Sequence, residues 1–320
     1  MSAPTVHRET GTPSVPPARP LPTPRGGARE RLRALAELVR APAALTVPGD
    51  VLAGAAAAHR RPTPALAGLA ASSVCLYWAG MALNDWADRD LDAVERPERP
   101  LPSGRIGAPA ALGVAAGLTG AALGLAAVSG GRRALAVAGP LAATVWLYDL
   151  GAKSGRAGPA VMAAARGLDV LLGAGPGRLR AAVPAAATIA GHTLAVTVLS
   201  RSEVSGADPR LPRAALAATG AVTAAAAACA LPARHHTGGR HRLAAAGALT
   251  GYAATVGRAQ ARAAADPAPR QVQRAVGAGI LGLIPLQAAL TAGAGSLRSA
   301  LPIAAALPLA RALARKVSPT

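Results

Sequence analysis

The 320-residue chain contains no phenylalanine and only three tryptophans and three tyrosines. Charged residues make up 15% of it, against the roughly 25% usual for soluble domains. Only 15 residues are acidic, and lysine accounts for just two of the 34 basic ones, Lys153 and Lys316. A water-soluble domain of this size needs a charged surface that such a composition cannot supply. The two cysteines, Cys75 and Cys229, sit inside apolar runs, which excludes a disulfide scaffold. The first 33 residues are rich in Pro, Arg and Thr and lack an apolar run, which argues against a cleaved signal peptide. They read as a disordered cytoplasmic tail, bounded at residues 1–37.

What is abundant is small and apolar. About a quarter of the residues are alanine, with 36 Gly and 28 Pro, and mean hydropathy is +0.33. Nine apolar stretches recur between residues 42 and 295, and a shorter tenth covers 299–310. Several are long enough to cross a ~30 Å hydrocarbon core at 1.5 Å per residue. The expected fold class is all-α: a polytopic integral membrane protein of about nine transmembrane helices, residues 38–315, with a short tail at 316–320.

A net charge of +19 would ordinarily suggest nucleic acid as partner. Its distribution decides otherwise. With the N-terminus placed in the cytoplasm, 20 basic residues fall on inside segments and nine on outside loops. The charge is therefore topological, and no nucleic-acid partner is expected. A multi-pass protein of the bacterial inner membrane is.

The connection after the second stretch reads NDWADRDLDAVERPERPLPSGRI and holds six of the 15 acidic residues. On a continuing helix, Asp85, Asp88 and Asp92 stand at i, i+3 and i+7, within roughly 60° of one face. Three carboxylates at a membrane surface need a compensating cation. Mg²⁺ suits them, because it is hard, octahedral and content with few carboxylates plus phosphate oxygens and water. Asn84 can complete or orient that shell. A solvated acidic loop is the commoner fate of a charge run, but the one-face spacing at a helix end in a charge-poor chain favours metal. Tyr77, Trp78 and Trp86 lie in or just before this segment, and Trp146 and Tyr148 lie just before Lys153. Five of six aromatics thus gather at two helix ends, where they could stabilise a cation.

These residues resemble the UbiA superfamily of intramembrane prenyltransferases. NDWADRDLD matches that family's N-D-x-x-D-x-x-x-D signature, and ERPERPLPSGRI resembles its continuation. The segment LYDLGAKSGRAGPAVMAAARGLDVLLGA resembles the family's Tyr and basic segment leading into its fifth helix. Details of the variant resemble the UbiA-like branch of bacterial Ebo-type clusters. The resemblance implies nine helices around a central cavity capped by cytoplasmic loops. It also implies Mg²⁺-dependent transfer of a prenyl group from a polyprenyl diphosphate to an acceptor that is aromatic or lipid-like, within membrane lipid. By position it makes Asn84, Asp85, Asp88 and Asp92 the metal and diphosphate ligands, Lys153 a diphosphate contact, and Arg40 a residue near the site.

One element departs from the pattern. The family's second aspartate motif, D-x-x-x-D, belongs in the segment LSRSEVSGADPR, which supplies Glu203 and Asp208 at a different spacing. Asp149, beside Tyr148 and Lys153, is a possible partial substitute. A non-catalytic relative that binds or helps move an isoprenoid is therefore the alternative. A CDP-alcohol phosphotransferase is set aside because its D-G-x-x-A-R signature is absent, and a secondary transporter because no internal repeat is found. Inside the stretches, Asp50, Arg166, Asp169 and His192 are expected to face the cavity or one another. Arg166 and Asp169, at i and i+3, are expected to pair. His192 is a candidate base or donor toward an acceptor hydroxyl. His235, His236 and His241 read as a solvated cluster.

Overall fold

The structure is a computed structural model, and it describes residues 27–175, 177–231 and 238–317. Among the described residues it is all-helical, with no strand. The chain runs α1 (Ala28–Leu38), a 3₁₀ turn (Ala41–Thr46), α2 (Pro48–Ala57), α3 (Pro64–Ala87), α4 (Arg89–Glu95) and α5 (Ala108–Leu147). A π-helical turn (Tyr148–Ala152) leads to α6 (Gly158–Ala174), α7 (Leu179–Ser200) and α8 (Arg210–Ala230). The chain then continues through α9 (Gly239–Ala265), α10 (Pro269–Gly293) and α11 (Leu297–Val317). The expected apolar stretches all fall in these helices, including the tenth, which lies in α11.

Among the described residues, five helical segments are long and apolar enough to cross a bilayer, and α5 is one of them. It crosses twice. Gly131, with φ 65° and ψ −161°, reverses the chain between residues 108–130 and 132–147. This backbone region is open essentially only to glycine. Trp146 Nε1 donates to Thr119 Oγ1 at 3.1 Å, a contact that requires the two limbs to lie antiparallel.

The first span starts later than expected, and residues 28–37 are not a disordered tail. They form α1, where Ala34 and Leu38 are buried against Leu83, Ile106, Ala111 and Ala115. The arginines at 29, 31 and 33 lower the hydropathy of this stretch, so its apolar stripe is visible only in helical projection. Residues 1–26, His235, His236 and the last three residues of the expected C-terminal tail lie outside the described residues.

Two apolar clusters are the largest in the core. One joins α2, α3, α5 and α6; the other joins α2, α6, α7, α8, α9 and α10. α2 and α6 belong to both, and glycine lets them meet. A Cβ on Gly54 would collide with the Val170 carbonyl, and one on Gly173 with the Val51 carbonyl. Small residues at such a crossing bring backbones together where lipid offers no hydrophobic drive. Asp50 and Arg166 are carried on this tightly joined pair.

Candidate active site

α3 begins under Thr63, whose hydroxyl accepts from Leu66 N at 3.2 Å, with Pro64 in its first turn. It ends at Asp88, which is also the N-cap of α4. The acidic motif therefore straddles a helix junction instead of riding one helix, and its three aspartates do not converge. Asp88 turns to Lys153, with Oδ1 2.6 Å from Nζ, and accepts from Asn84 Nδ2 at 2.8 Å. Asp85 and Asp92 share the Arg99 guanidinium, at 3.4 and 2.6 Å. Arg96 approaches the other oxygen of Asp92 at 3.4 Å, and Arg40 approaches Asp85 at 3.0 Å. Asp85 and Asp92 are 3% and 1% exposed, so the guanidinium partners are what makes two buried carboxylates tolerable.

The cations are held in place by local backbone features. Arg40 follows α1 in the left-handed region (φ 47°, ψ 50°), which costs a non-glycine residue about 1–2 kcal/mol. That conformation ends α1 and aims the guanidinium at Asp85. Arg99 opens a tight turn in which Ser103 N and Oγ both bond its carbonyl, at 3.0 and 2.6 Å. The P-S-G sequence thus locks Arg99 against the motif. Lys153 N donates to the Tyr148 carbonyl at 2.9 Å across the π turn, which adds a residue and re-aims Tyr148, Asp149 and Lys153. Arg201 binds the carbonyls of Gly155 and Ser154, at 2.6 and 3.2 Å, and ties the start of the α7–α8 loop over this turn.

Beneath the motif lies a cavity of about 290 Å³. Arg40, Asn84, Tyr148 and Asp149 line one end, Tyr77, Met81 and Val145 its walls, and Arg166, Asp169 and Ser73 its other end. Gly80 keeps the wall open: a Cβ there would stand 3.0 Å from Val145 and 3.6 Å from an Asp149 oxygen.

Several expected site residues stand elsewhere. His192 does not line this cavity. Its Nε2 lies 3.0 Å from the Gly279 carbonyl, so that nitrogen carries the proton, and Nδ1 takes the Tyr252 hydroxyl at 2.9 Å. Both ring nitrogens are spent on joining α7, α9 and α10. Asp50 is fully buried behind the cavity, not in it: Oδ2 meets Arg166 Nε at 3.0 Å and Oδ1 accepts from Gln287 at 2.7 Å. Arg166 thus pairs with Asp50 on another helix instead of with Asp169, whose Oδ2 accepts from Ser73 at 2.6 Å. Asp208 is exposed and accepts from Arg210 N at 2.8 Å, a local turn at the start of α8. Glu203 is half-buried, with its carboxyl raised above the usual range by burial, and its carbonyl accepts from Gln273 at 3.1 Å. Among the described residues, neither acid hydrogen-bonds or ion-pairs with the α3 motif.

A profile of the UbiA prenyltransferase family matches residues 47–316, most of the chain. The chain belongs to the UbiA prenyltransferase family. Among sequence relatives, the digeranylgeranylglyceryl phosphate synthase of Ignicoccus hospitalis is 44% identical over 98 residues, 30% of this chain and 32% of that protein. That of Methanopyrus kandleri is 38% identical over 123 residues, 37% and 43% of the two chains. These matches span less than half the length of either relative. A solved structure from work on digeranylgeranylglyceryl phosphate synthase in membranes superposes with a TM-score of 0.62 at 17% identity, covering 84% of this chain and 99% of that one. A UbiA homologue from Aeropyrum pernix gives 0.57 at 22%, covering 77% and 96%. At those identities the likeness is one of fold. The UbiA fold, the helical spans and the apolar composition together make this a multi-pass membrane protein.

Sequence reasoning missed Arg96, Arg99, Ser73 and Gln287. Arg99 had a signal, the repeated Arg-Pro pairs beside the motif; Ser73 and Gln287 had none.

Proposed function

We propose that this protein transfers a prenyl group from a polyprenyl diphosphate to an acceptor within the membrane, with Mg²⁺ assisting. The observation that carries this reading is the interleaving of Arg40, Arg99 and Lys153 with Asp85, Asp88 and Asp92 beside a cavity that Arg40 and Asn84 line. A diphosphate leaves more readily as its charge is neutralised, and preorganised cations do this without reorganisation. The allylic cation left behind must be kept from water, and a cavity walled largely by apolar side chains limits its access.

Among the described residues, no group of three or more His, Cys, Asp or Glu side chains is arranged to hold a metal alone. Mg²⁺ is bound by one or two carboxylates, with phosphate oxygens completing its shell. Asp85, Asp88 and Asp92, with Asn84 beside them, supply hard oxygen donors on consecutive turns. When bound, the ion would add positive charge where the leaving group develops its own. Lys153 and Arg40 hold the diphosphate, and Tyr148 and Asp149 line the mouth. The site end is the cytoplasmic one, with the N-terminus on the cytoplasmic side of a bacterial inner membrane.

The separation of Glu203 and Asp208 from the motif favours one second reading, a protein that binds an isoprenoid without transferring it. Purified protein incubated with labelled geranylgeranyl diphosphate, Mg²⁺ and a membrane extract distinguishes the two. Label transfer and diphosphate release, both lost in Asp85→Ala, are expected. Tight binding with neither transfer nor release would establish the second reading instead.

A further inference from the structure

The cavity has a polar floor that the diphosphate chemistry does not use. Ser73, Arg166 and Asp169 line it, and Asp50 and Gln287 stand behind Arg166. Asp50 and Arg166 pair at 3.0 Å, and Gln287 bridges Asp50 to the Thr46 carbonyl. Asp169 is 5% exposed; one oxygen takes the Ser73 hydroxyl, and the other, Oδ1, is buried with no hydrogen-bond partner. The group therefore holds two carboxylates and one guanidinium. An acceptor oxygen left unpaired at membrane depth is costly unless a ligand answers it.

Position says which ligand. Ser73 and Asn84 lie on the cavity-facing side of α3, eleven residues apart, roughly 16 Å of helix rise. With the diphosphate held at the Asn84 end, the group attacking the prenyl carbon approaches from the side opposite the leaving oxygen, within about 3–3.5 Å. That is the floor side. A small acceptor placed there directs its far end at Asp169.

We propose that the floor of the cavity is an acceptor subsite, in which Asp169 and Ser73 receive a hydrogen-bond-donating group, an amine or hydroxyl, at the end of the acceptor remote from the prenylated atom. This rests on the prenyl-transfer reading for the word acceptor, and on the floor alone for the ligand class. An acceptor whose far end is itself a carboxylate would set oxygen against oxygen at Asp169 Oδ1, with no donor between them. Arg166 is bonded to Asp50 and to the Thr46 carbonyl, and no hydrogen bond joins it to Asp169.

The test compares two one-ring phenols with opposite far ends, tyramine and 4-hydroxybenzoate. Binding is measured calorimetrically on the full chain in detergent, without metal or prenyl diphosphate. Tyramine is expected to bind at least tenfold more tightly than 4-hydroxybenzoate. Asp169→Asn should remove that preference, and Ser73→Ala should keep it, since the carboxylate remains. Met162→Trp, which fills the cavity from its wall, should abolish tyramine binding. Equal or tighter binding of 4-hydroxybenzoate to the native protein would overturn the proposal, even if Asp169→Asn fails to fold. So would undiminished tyramine binding in Met162→Trp. A separate titration with geranylgeranyl diphosphate and Mg²⁺ reports on the other end of the cavity. No diphosphate binding beside an intact tyramine preference would sink the prenyl-transfer reading and leave the donor-selective floor standing.

Discussion

Asp92 is 1% exposed, and both of its oxygens are engaged by guanidinium groups, those of Arg99 and Arg96. Removing one partner of such a pair leaves a buried charge uncompensated, which costs more than the pair itself contributes. Arg99→Ala should therefore lower stability by about 2 kcal/mol or more, seen as a lower thermal midpoint in detergent, and weaken diphosphate binding as well. Lys153 differs, because its ammonium meets Asp88, which also binds the cavity-lining Asn84, and the proposed reaction assigns it to the diphosphate. Lys153→Ala is expected to reduce single-turnover transfer by about 10²-fold or more with little loss of stability, measured by rapid-quench assay. His192 should behave the opposite way. Its replacement by Phe removes the acceptor of the Tyr252 hydroxyl and the donor to the Gly279 carbonyl, so the midpoint falls while turnover of the folded fraction is unchanged. Loss of turnover at full stability would return His192 to the chemistry.

The acidic motif was legible because it is local: Asp85, Asp88 and Asp92 are spaced by helical geometry within eight residues. Its partners were not legible from spacing, because Arg40 and Lys153 lie 45 residues before Asp85 and 65 after Asp88 in the chain. Only the family resemblance pointed to them. The same resemblance led to Glu203 and Asp208, where this chain's altered spacing places one acid in a local turn and the other in the half-buried loop beside α10.

At the scale of elements, the α2–α6 crossing governs the inner half of the cavity. Gly54 and Gly173 each face the partner's backbone, so a methyl at either must push two carbonyl-lined helices apart. Gly173→Ala should cost about 1–3 kcal/mol by overpacking and should also disturb the Asp50–Arg166 contact that the crossing holds at 3.0 Å. The expected outcome is a lower thermal midpoint together with weaker tyramine binding, whereas a purely structural glycine would change the first alone. α5 illustrates how an element can be misread from hydropathy. Two apolar stretches separated by Gly130, Gly131, Arg132 and Arg133 look the same whether the helix continues or doubles back. The turn at Gly131 and the Trp146–Thr119 hydrogen bond settle it.

At the scale of the whole molecule, orientation and metal dependence can be examined together. In a background with Cys75 and Cys229 replaced by Ala, Arg61→Cys should react with a membrane-impermeant maleimide on intact cells. Arg156→Cys should react only after permeabilisation. The reverse pattern would invert the assigned topology. Chelation with EDTA should abolish transfer, and Mg²⁺ should restore it, since an uncompensated diphosphate would face Asp85, Asp88 and Asp92 directly.

The sequence by itself determined that this chain is a bundle of membrane-crossing helices with one acidic motif at a helix end. Hydropathy and i, i+3, i+7 spacing are local properties, and both survive in one dimension. Tertiary structure alone decided which cation meets which carboxylate, that Arg166 joins Asp50 and not Asp169, and that His192 is spent on its neighbours. Asp50 and Gln287 are 237 residues apart and meet at 2.7 Å, an encounter fixed by helix packing and not by anything either residue carries along the chain. The scarcity of charge sharpened this outcome. With so few acids in the protein, a buried Asp50–Arg166 pair and an Asp169 oxygen without a hydrogen-bond partner stand apart from the acidic motif at the other end of the cavity.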